Sequence, residues 1–269
     1  MIGIFDSGIG GLTVAKSILQ ILPEYRIMYL GDTARLPYGN RSQDLIYEFT
    51  KEGVDFLFAK GCELIILACN TASAQALRRI QTEYLPKHYP QRRVLGVIRP
   101  LAEEAARATK TKRLGVVGTR GTVSSLAYVR ELEIQNPEIK TFQSVCPLLV
   151  PLIEEGWMKR RETKTILRYY MRPLHEKKID TLILGCTHYQ MLFPLIVQCA
   201  GRRVRVLHPG DTVAYSLKQY LERHSDIESG LIKDKNHVFY ATDITDVFSN
   251  NSRKWLGRDI QLEQARLGT

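Results

Sequence analysis

The stretch of sequence that decides the fold reads Glu63-Leu64-Ile65-Ile66-Leu67-Ala68-Cys69-Asn70-Thr71. It is an apolar, β-branched run that ends in a cysteine and passes directly into polar residues. A second stretch matches it and reads Asp180-Thr181-Leu182-Ile183-Leu184-Gly185-Cys186-Thr187-His188. Such a run is typical of a buried strand, and the polar residues after it are typical of a helix start. Cys69 and Cys186 therefore occupy equivalent positions in the sequence.

Another pair of segments repeats at nearly the same spacing. Ile2-Gly3-Ile4-Phe5-Asp6-Ser7-Gly8 aligns with Leu114-Gly115-Val116-Val117-Gly118-Thr119-Arg120. Self-similarity of this kind indicates repeated structural units. The two matches together predict that the chain consists of two similar α/β halves.

Short apolar runs alternate with longer amphipathic stretches along most of the chain. The predicted strands are Ile2–Phe5, Arg26–Leu30, Leu64–Ala68, Val94–Val97, Leu114–Val117, Thr141–Val145, Thr181–Leu184 and Val204–Leu207. The predicted helices are Leu12–Leu22, Ser42–Lys60, Ser73–Tyr84, Leu101–Thr109, Ser124–Asn136 and Glu162–Lys177. This alternation predicts an α/β fold with mainly parallel sheets flanked by helices.

The two equivalent cysteines are candidates for catalysis. A buried cysteine at a strand end more often serves packing, but the same polar setting recurs after both thiols. Ligands of parallel sheets bind beyond the carboxyl ends of the strands, so two facing halves would present Cys69 and Cys186 to one cleft. A helix N-terminus lowers the pKa of a thiol. His188 is either a structural histidine or a proton carrier beside Cys186.

A glycine-rich turn, Asp6-Ser7-Gly8-Ile9-Gly10-Gly11, follows the first predicted strand. Its spacing matches neither the dinucleotide-binding nor the phosphate-binding glycine motif. An acidic residue in the turn also disfavours a bound phosphate. Asp6 is therefore expected either to cap the following helix or to support a thiol that acts as a base.

Composition excludes several classes of protein. No segment approaches the roughly 20 apolar residues that span a bilayer, and no basic leader precedes an apolar run at the start, so we expect a cytoplasmic location and no membrane association. The chain has five cysteines, an odd number, and its 269 residues can form a core without disulfides. Both facts favour reduced thiols. Cys62 and Cys69 lack the spacing usual for zinc, and we predict no metal site.

A net charge of +10 raises the alternative of a nucleic-acid-binding protein. The basic residues, however, form small separate clusters without interleaved aromatic residues. They are Arg92-Arg93, Lys110 to Arg113, Lys159 to Arg161 and Arg202 to Arg205. Solvated surface charge that attracts anionic substrates is the preferred interpretation, and we expect no sequence-specific binding of nucleic acid.

Longer motifs in the chain resemble those of the aspartate/glutamate racemase family. They occur in the family's order and cover most of the chain. They are Phe5-Asp6-Ser7-Gly8-Ile9-Gly10-Gly11-Leu12-Thr13-Val14, Tyr29-Leu30-Gly31-Asp32-Thr33-Ala34-Arg35-Leu36-Pro37-Tyr38-Gly39, Ala68-Cys69-Asn70-Thr71-Ala72-Ser73-Ala74, Gly96-Val97-Ile98, Val150-Pro151-Leu152-Ile153-Glu154 and Leu184-Gly185-Cys186-Thr187-His188-Tyr189.

The resemblance implies two pseudo-symmetric α/β domains with the active site in the cleft between them. The first would comprise residues 1–97 plus 210–269, and the second residues 98–209. The implied activity is cofactor-independent interconversion of L-glutamate and D-glutamate by a two-cysteine mechanism, which supplies D-glutamate for peptidoglycan synthesis and so for cell shape. No lysine occupies a matching motif position for a pyridoxal Schiff base, so we expect no cofactor. A homodimer is compatible with this expectation.

The resemblance also assigns roles to particular residues. Cys69 and Cys186 would transfer the protons, Asp6 would assist Cys69, and Glu154 and His188 would assist Cys186. Thr119 and Thr122 would add hydroxyl contacts near one carboxylate. The residues implied to bind glutamate are Asp6, Ser7, Tyr38, Gly39, Asn70, Thr71, Thr187 and His188.

Two alternatives stay open at this point. One is aspartate racemase, against which Ser73 and His188 count, because that enzyme typically has histidine and glutamate at those positions. The other is a racemase-fold regulator of a DNA enzyme. The chain also departs from the family's pattern at Arg99, usually a glutamate, and at Gln190-Met191, commonly Pro-Leu. The segment His208-Pro209-Gly210-Asp211 matches only loosely.

Overall fold

Two parallel sheets form the framework of the chain in a computed structural model, which describes residues 1–257 and 259–268. The strands are β1 (Ile2–Asp6), β2 (Ile27–Gly31), β3 (Leu64–Leu67), β4 (Arg93–Gly96), β5 (Arg113–Gly118), β6 (Lys140–Val145), β7 (Thr181–Gly185), β8 (Arg205–Val206), β9 (Val238–Ala241) and β10 (Leu262–Gln264). The larger sheet has the order β10-β9-β2-β1-β3-β4, and the smaller has the order β6-β5-β7-β8. The predicted α/β class is confirmed.

The two sheets share one topology. The segment β2-β1-β3-β4 of the larger sheet has the same strand order as β6-β5-β7-β8. β1 therefore corresponds to β5, and β3 corresponds to β7, in agreement with the sequence repeat. β9 and β10 extend the larger sheet beyond this common unit, and the sequence analysis did not foresee them.

Helices cover both faces of the sheets. They are α1 (Leu12–Ile21), α2 (Gln43–Ala59), α3 (Asn70–Gln75), α4 (Leu77–Arg79), α5 (Leu85–His88), α6 (Ile98–Ala108), α7 (Arg120–Ser124), α8 (Ala127–Gln135), α9 (Leu149–Glu154), α10 (Arg161–Glu176), α11 (Phe193–Ala200), α12 (Pro209–Arg223), α13 (Ser225–Glu228) and α14 (Asp246–Leu256). Among the described residues, none of these helices is long and apolar enough to cross a membrane.

The structure differs from two of the predicted helices in where they begin and in how regular they are. The helix expected over Ser73–Tyr84 begins earlier, at Asn70, and contains a π turn at Ile80–Tyr84. Pro86 follows this turn and lacks the backbone N–H that a continuous α-helix requires. The helix expected over Ser124–Asn136 begins only at Ala127, as α8, because Leu126 adopts a left-handed backbone conformation with φ of 56°. Ser124 is instead the last residue of α7.

The central strands are buried on both faces, as expected for parallel sheets between helices. All residues of β1, β3 and β7 are buried. One hydrophobic cluster contains Ile4 and Ile66 of the larger sheet together with Leu182 and Leu184 of the smaller one. The two halves therefore share a core, which fixes the carboxyl ends of their strands relative to each other.

We expect Gly53→Ala to lower the free energy of unfolding by about 1–3 kcal/mol, the usual cost of overpacking a core. A Cβ at this position in α2 would lie 2.3 Å from Cε2 of the Phe5 ring, which is fully buried in β1. Alanine otherwise favours a helix over glycine. Urea denaturation measures the effect, with Gly230→Ala as the control, because a Cβ there meets only the Ile227 carbonyl oxygen at 3.6 Å. Equal stability of the two variants would contradict this packing argument.

Candidate active site

Cys69 is the N-cap residue of α3, directly after the strand β3. Its Sγ accepts a hydrogen bond from the Ala72 N–H at 3.5 Å and donates one to Ser7 Oγ at 3.3 Å. Ser7 follows β1, so neighbouring parallel strands bring the two side chains together. The thiol is buried, with 5% of the residue exposed.

Burial and the nearby Asp6 carboxylate raise the pKa of the Cys69 thiol to about 12. The hydrogen bonds with Ser7 and with the Ala72 N–H lower this pKa, and the proximity of Cys186 raises it further. The sequence analysis predicted a lowered pKa from the helix start. That expectation is wrong in its net sign, because the penalty of burying a thiolate is larger than the stabilisation from one backbone N–H. Cys69 rests as a neutral thiol.

Cys186 lies at the equivalent position after β7 but has a different partner. Its Sγ is 4.0 Å from Nδ1 of His188, and Nε2 of the same ring is 2.9 Å from Oε1 of Glu154. Glu154 is the last residue of α9. The three side chains form a relay from a partly exposed carboxylate to a buried thiol, as the family resemblance implied for these residues.

His188 is charged in this environment. Burial lowers the pKa of the imidazole, but the hydrogen bonds to Cys186 and Glu154 outweigh burial and raise it to about 10. The edge of the ring packs against Trp255, with the centroids 5.3 Å apart and the planes at 89°. Trp255 belongs to α14, and Asn251 of the same helix donates to the Glu154 carbonyl oxygen at 3.4 Å. The sequence analysis did not find this contribution, since no local signal links α14 to the thiol motifs.

Asp6 joins the two halves at the centre of the site. Its Oδ2 accepts the Gly8 N–H at 3.0 Å, and its Oδ1 lies 3.4 Å from the Thr187 hydroxyl of the other half. Burial raises the pKa of Asp6, against the lowering effects of His188 and of backbone N–H groups. Gly10 completes this junction, because a Cβ there would lie 2.2 Å from Thr187 Oγ1 and 2.5 Å from His188 Nδ1.

Three threonine hydroxyls from the two halves meet on the other side of the site. Thr71 Oγ1 lies 3.0 Å from Thr119 Oγ1 and 3.4 Å from Thr122 Oγ1, and the latter two are 3.1 Å apart. Gly39 packs against this group, since a Cβ on it would lie 2.9 Å from Thr119 Cβ. Such hydroxyls can donate to a carboxylate.

Two tyrosine hydroxyls donate hydrogen bonds to neighbouring side chains, Tyr128 to Asn70 and Tyr38 to Asp32. Asn70 Oδ1 accepts a hydrogen bond from the Tyr128 hydroxyl at 2.6 Å, which leaves the Asn70 Nδ2 free to donate elsewhere. Sequence analysis did not identify Tyr128, which comes from α8 of the other half. The Tyr38 hydroxyl donates its hydrogen bond to the Asp32 carboxylate and does not donate to Asn70.

The remaining sequence features lie outside this group. Arg99 is largely exposed on α6 and forms an ion pair with Glu103 at 2.9 Å. In the described part of the chain, no group of three or more histidine, cysteine, aspartate or glutamate residues is placed to hold a metal ion. The arrangement as a whole contains two buried thiols and a set of hydroxyl and amide groups that can donate to carboxylates.

Residues 2–216 match the family model described as Asp/Glu/Hydantoin racemase, and the chain belongs to this family. It is 38% identical over 269 residues to a glutamate racemase from Listeria monocytogenes, a match that covers 99% of this chain and 98% of the relative. Among solved structures, it is similar to a glutamate racemase isoform from Bacillus anthracis, with a TM-score of 0.91, 34% identity and 99% and 97% coverage. It is also similar to the glutamate racemase from Francisella tularensis in complex with D-glutamate, with a TM-score of 0.88, 34% identity and 98% and 97% coverage.

We expect Glu154→Gln to change how stability depends on pH. The folded protein keeps a proton on His188 up to pH about 10, whereas an unfolded histidine loses it near 6.5. The stability that the protonated His188 contributes to the folded protein is fully present below pH 6.5 and disappears as the pH rises through about 10. Removing the Glu154 carboxylate lowers the pKa of His188 in the folded protein. The free energy of unfolding should therefore fall less steeply between pH 7 and 10. Thermal unfolding across this pH range measures the slope.

The matched control for this prediction is Glu176→Gln, which removes an exposed partner of Arg172 on α10. Its stability should follow the unmodified protein at every pH. Parallel curves for Glu154→Gln and the unmodified protein would contradict the assignment of a charged His188.

Proposed function

We propose that the protein interconverts L-glutamate and D-glutamate without a cofactor, with Cys69 and Cys186 as the opposed acid and base. The observation that carries this proposal is the equivalent placement of two buried thiols after β3 and β7, each with its own proton partner. The sequence identity to glutamate racemases over nearly the whole chain supports glutamate as the substrate. The product D-glutamate would supply peptidoglycan synthesis.

The reaction needs one thiolate and one thiol at the start of each turnover. The thiolate removes the α-proton from one face of glutamate, and the opposite Sγ–H returns a proton to the other face. One C–H bond and one S–H bond break, one S–H bond and one C–H bond form, and the two sulfurs exchange their protonation states. Asp6, whose pKa is raised by burial, and His188, whose pKa is raised to about 10, are the groups through which these states would be reset.

The remaining side chains would orient the substrate. The hydroxyls of Thr71, Thr119 and Thr122 and the Asn70 Nδ2 are donors suited to a carboxylate, and preorganised donors stabilise the carbanionic transition state. Thr187 lies on the Cys186 side and Ser7 on the Cys69 side. We assign Tyr38 and Gly39 to the wall of the site through their contacts with Asp32 and Thr119.

The proposal includes the organisation of the chain. Residues 1–97 with 210–269 would form one domain and residues 98–209 the other, with glutamate between them. The proposal also includes a cytoplasmic location and a homodimer. It includes no sequence-specific binding of nucleic acid. Motion of the two domains would admit glutamate, because the groups around both thiols are buried in the present arrangement.

The purified protein, dialysed against a chelator, is expected to racemise glutamate faster than aspartate. The motivation is the pairing of His188 with Glu154 beside Cys186 and the presence of Ser73 at a position where aspartate racemases typically have histidine. Circular dichroism of the amino acid measures both rates. Faster turnover of aspartate, or a requirement for added pyridoxal phosphate, would contradict the proposal.

Cys69→Ser and Cys186→Ser should each lower racemisation by at least about 10²-fold, because inversion needs both groups. Proton exchange should persist on one face, since a remaining thiolate can remove and return a hydrogen without inversion. In deuterated water, Cys186→Ser should retain exchange into D-glutamate and Cys69→Ser into L-glutamate, as NMR of the α-hydrogen measures. The reversed pattern would reverse the assignment of faces, and near-normal racemisation would refute the two-thiol mechanism.

A further inference from the structure

The side chain of Gln190 connects the catalytic turn Thr187–Leu192 to the start of α12. Its Oε1 accepts the backbone N–H of Gly210 at 3.1 Å, and its Nε2 lies 3.5 Å from Nε2 of His208. Gln190 is two residues after His188 in the same turn. The sequence analysis singled out this position as a departure from the family's pattern, and the mechanism above does not use it.

The contacts continue from α12 to α1. Ser17 of α1 donates to Asp211 Oδ1 at 2.8 Å, and His208 Nδ1 lies 3.1 Å from Asp211 Oδ2. α1 begins directly after the glycine-rich turn that contains Asp6. A connected polar group made of Ser17, Asp211, His208, Gly210 and Gln190 therefore lies behind the site and touches the elements that carry its reactive groups.

The packing at Gly210 shows how closely these elements approach one another. A Cβ on Gly210 would lie 2.5 Å from Ser17 Oγ and 3.0 Å from Gln190 Nε2. The N–H of Gly210 is in the first turn of α12, where a helix provides no acceptor of its own. Gln190 supplies that acceptor, and an unsatisfied buried N–H would be costly.

We infer that Gln190 is a positioning residue for the Cys186 side of the reaction. This inference rests on the proposed function. The amide fixes the turn against the start of α12, and the turn sets where His188 and Thr187 stand relative to Cys186 and Asp6. Cys69 and its partners Ser7 and Ala72 belong to other segments, so loss of the amide should impair proton transfer on one face selectively.

The test compares Gln190→Leu, which removes the acceptor at similar volume, with Gln190→Glu, which keeps it. Initial incorporation of deuterium from solvent is measured by NMR, into L-glutamate started from L and into D-glutamate started from D. We expect Gln190→Leu to reduce exchange on the face of Cys186 by about tenfold and exchange on the face of Cys69 by less than about threefold, since a small displacement of a catalytic group has a large effect on rate. Gln190→Glu should stay within about threefold of the unmodified protein on both faces.

The control is Gln81→Leu, which removes a glutamine amide in the π turn Ile80–Tyr84 that donates to the Val94 carbonyl oxygen at 2.7 Å. It should leave the ratio of the two exchange rates unchanged. Equal loss on both faces in Gln190→Leu, no loss, or failure of Gln190→Glu to retain exchange would overturn the inference. Absence of glutamate exchange in the unmodified protein would overturn the proposed function and the inference together, whereas an active protein with an unchanged ratio would overturn the inference alone.

Discussion

The site depends on the close approach of the turn after β1 to the turn after β7, which position 10 permits only because it is glycine. Any side chain at Gly10 would overlap the Thr187 hydroxyl and the His188 ring. This approach brings the Asp6 carboxylate within 3.4 Å of the Thr187 hydroxyl and within electrostatic reach of His188. The halves also share a hydrophobic core, which supports this close approach of the two turns.

A symmetric framework here produces two chemically different thiols. Cys69 has a neutral hydroxyl and a backbone N–H as partners and lies near a buried carboxylate, so its proton is held firmly. Cys186 has a charged imidazole beside it, which is itself paired with Glu154. Racemisation requires unlike protonation states on the two faces at any moment, and unequal environments are a general means of separating an acid from a base. The two thiols can exchange these states only if their partners also move protons.

Sequence reasoning succeeded where burial and periodicity leave a strong local signal. The strands before Cys69 and Cys186 are apolar except for Thr181, because both of their faces are covered, and the sequence repeat showed that the two strands are equivalent. β10 was missed because it is a short strand with two polar residues out of three. Trp255 was missed because its contact with His188 is formed only in the folded chain. The sign of the pKa shift at Cys69 was wrong because the depth of burial cannot be read from a helix-start motif.

The central claim is that separate groups remove and return the α-proton. The most direct test is racemisation of L-glutamate in deuterated water, with mass spectrometry of both enantiomers during the first few per cent of conversion. Two opposed thiols predict that the D-glutamate formed carries solvent deuterium at the α-carbon from the start, since the returning proton comes from a different sulfur that exchanges with solvent. D-glutamate that retains the original α-hydrogen would show that one group carries the proton from face to face, and would contradict the account.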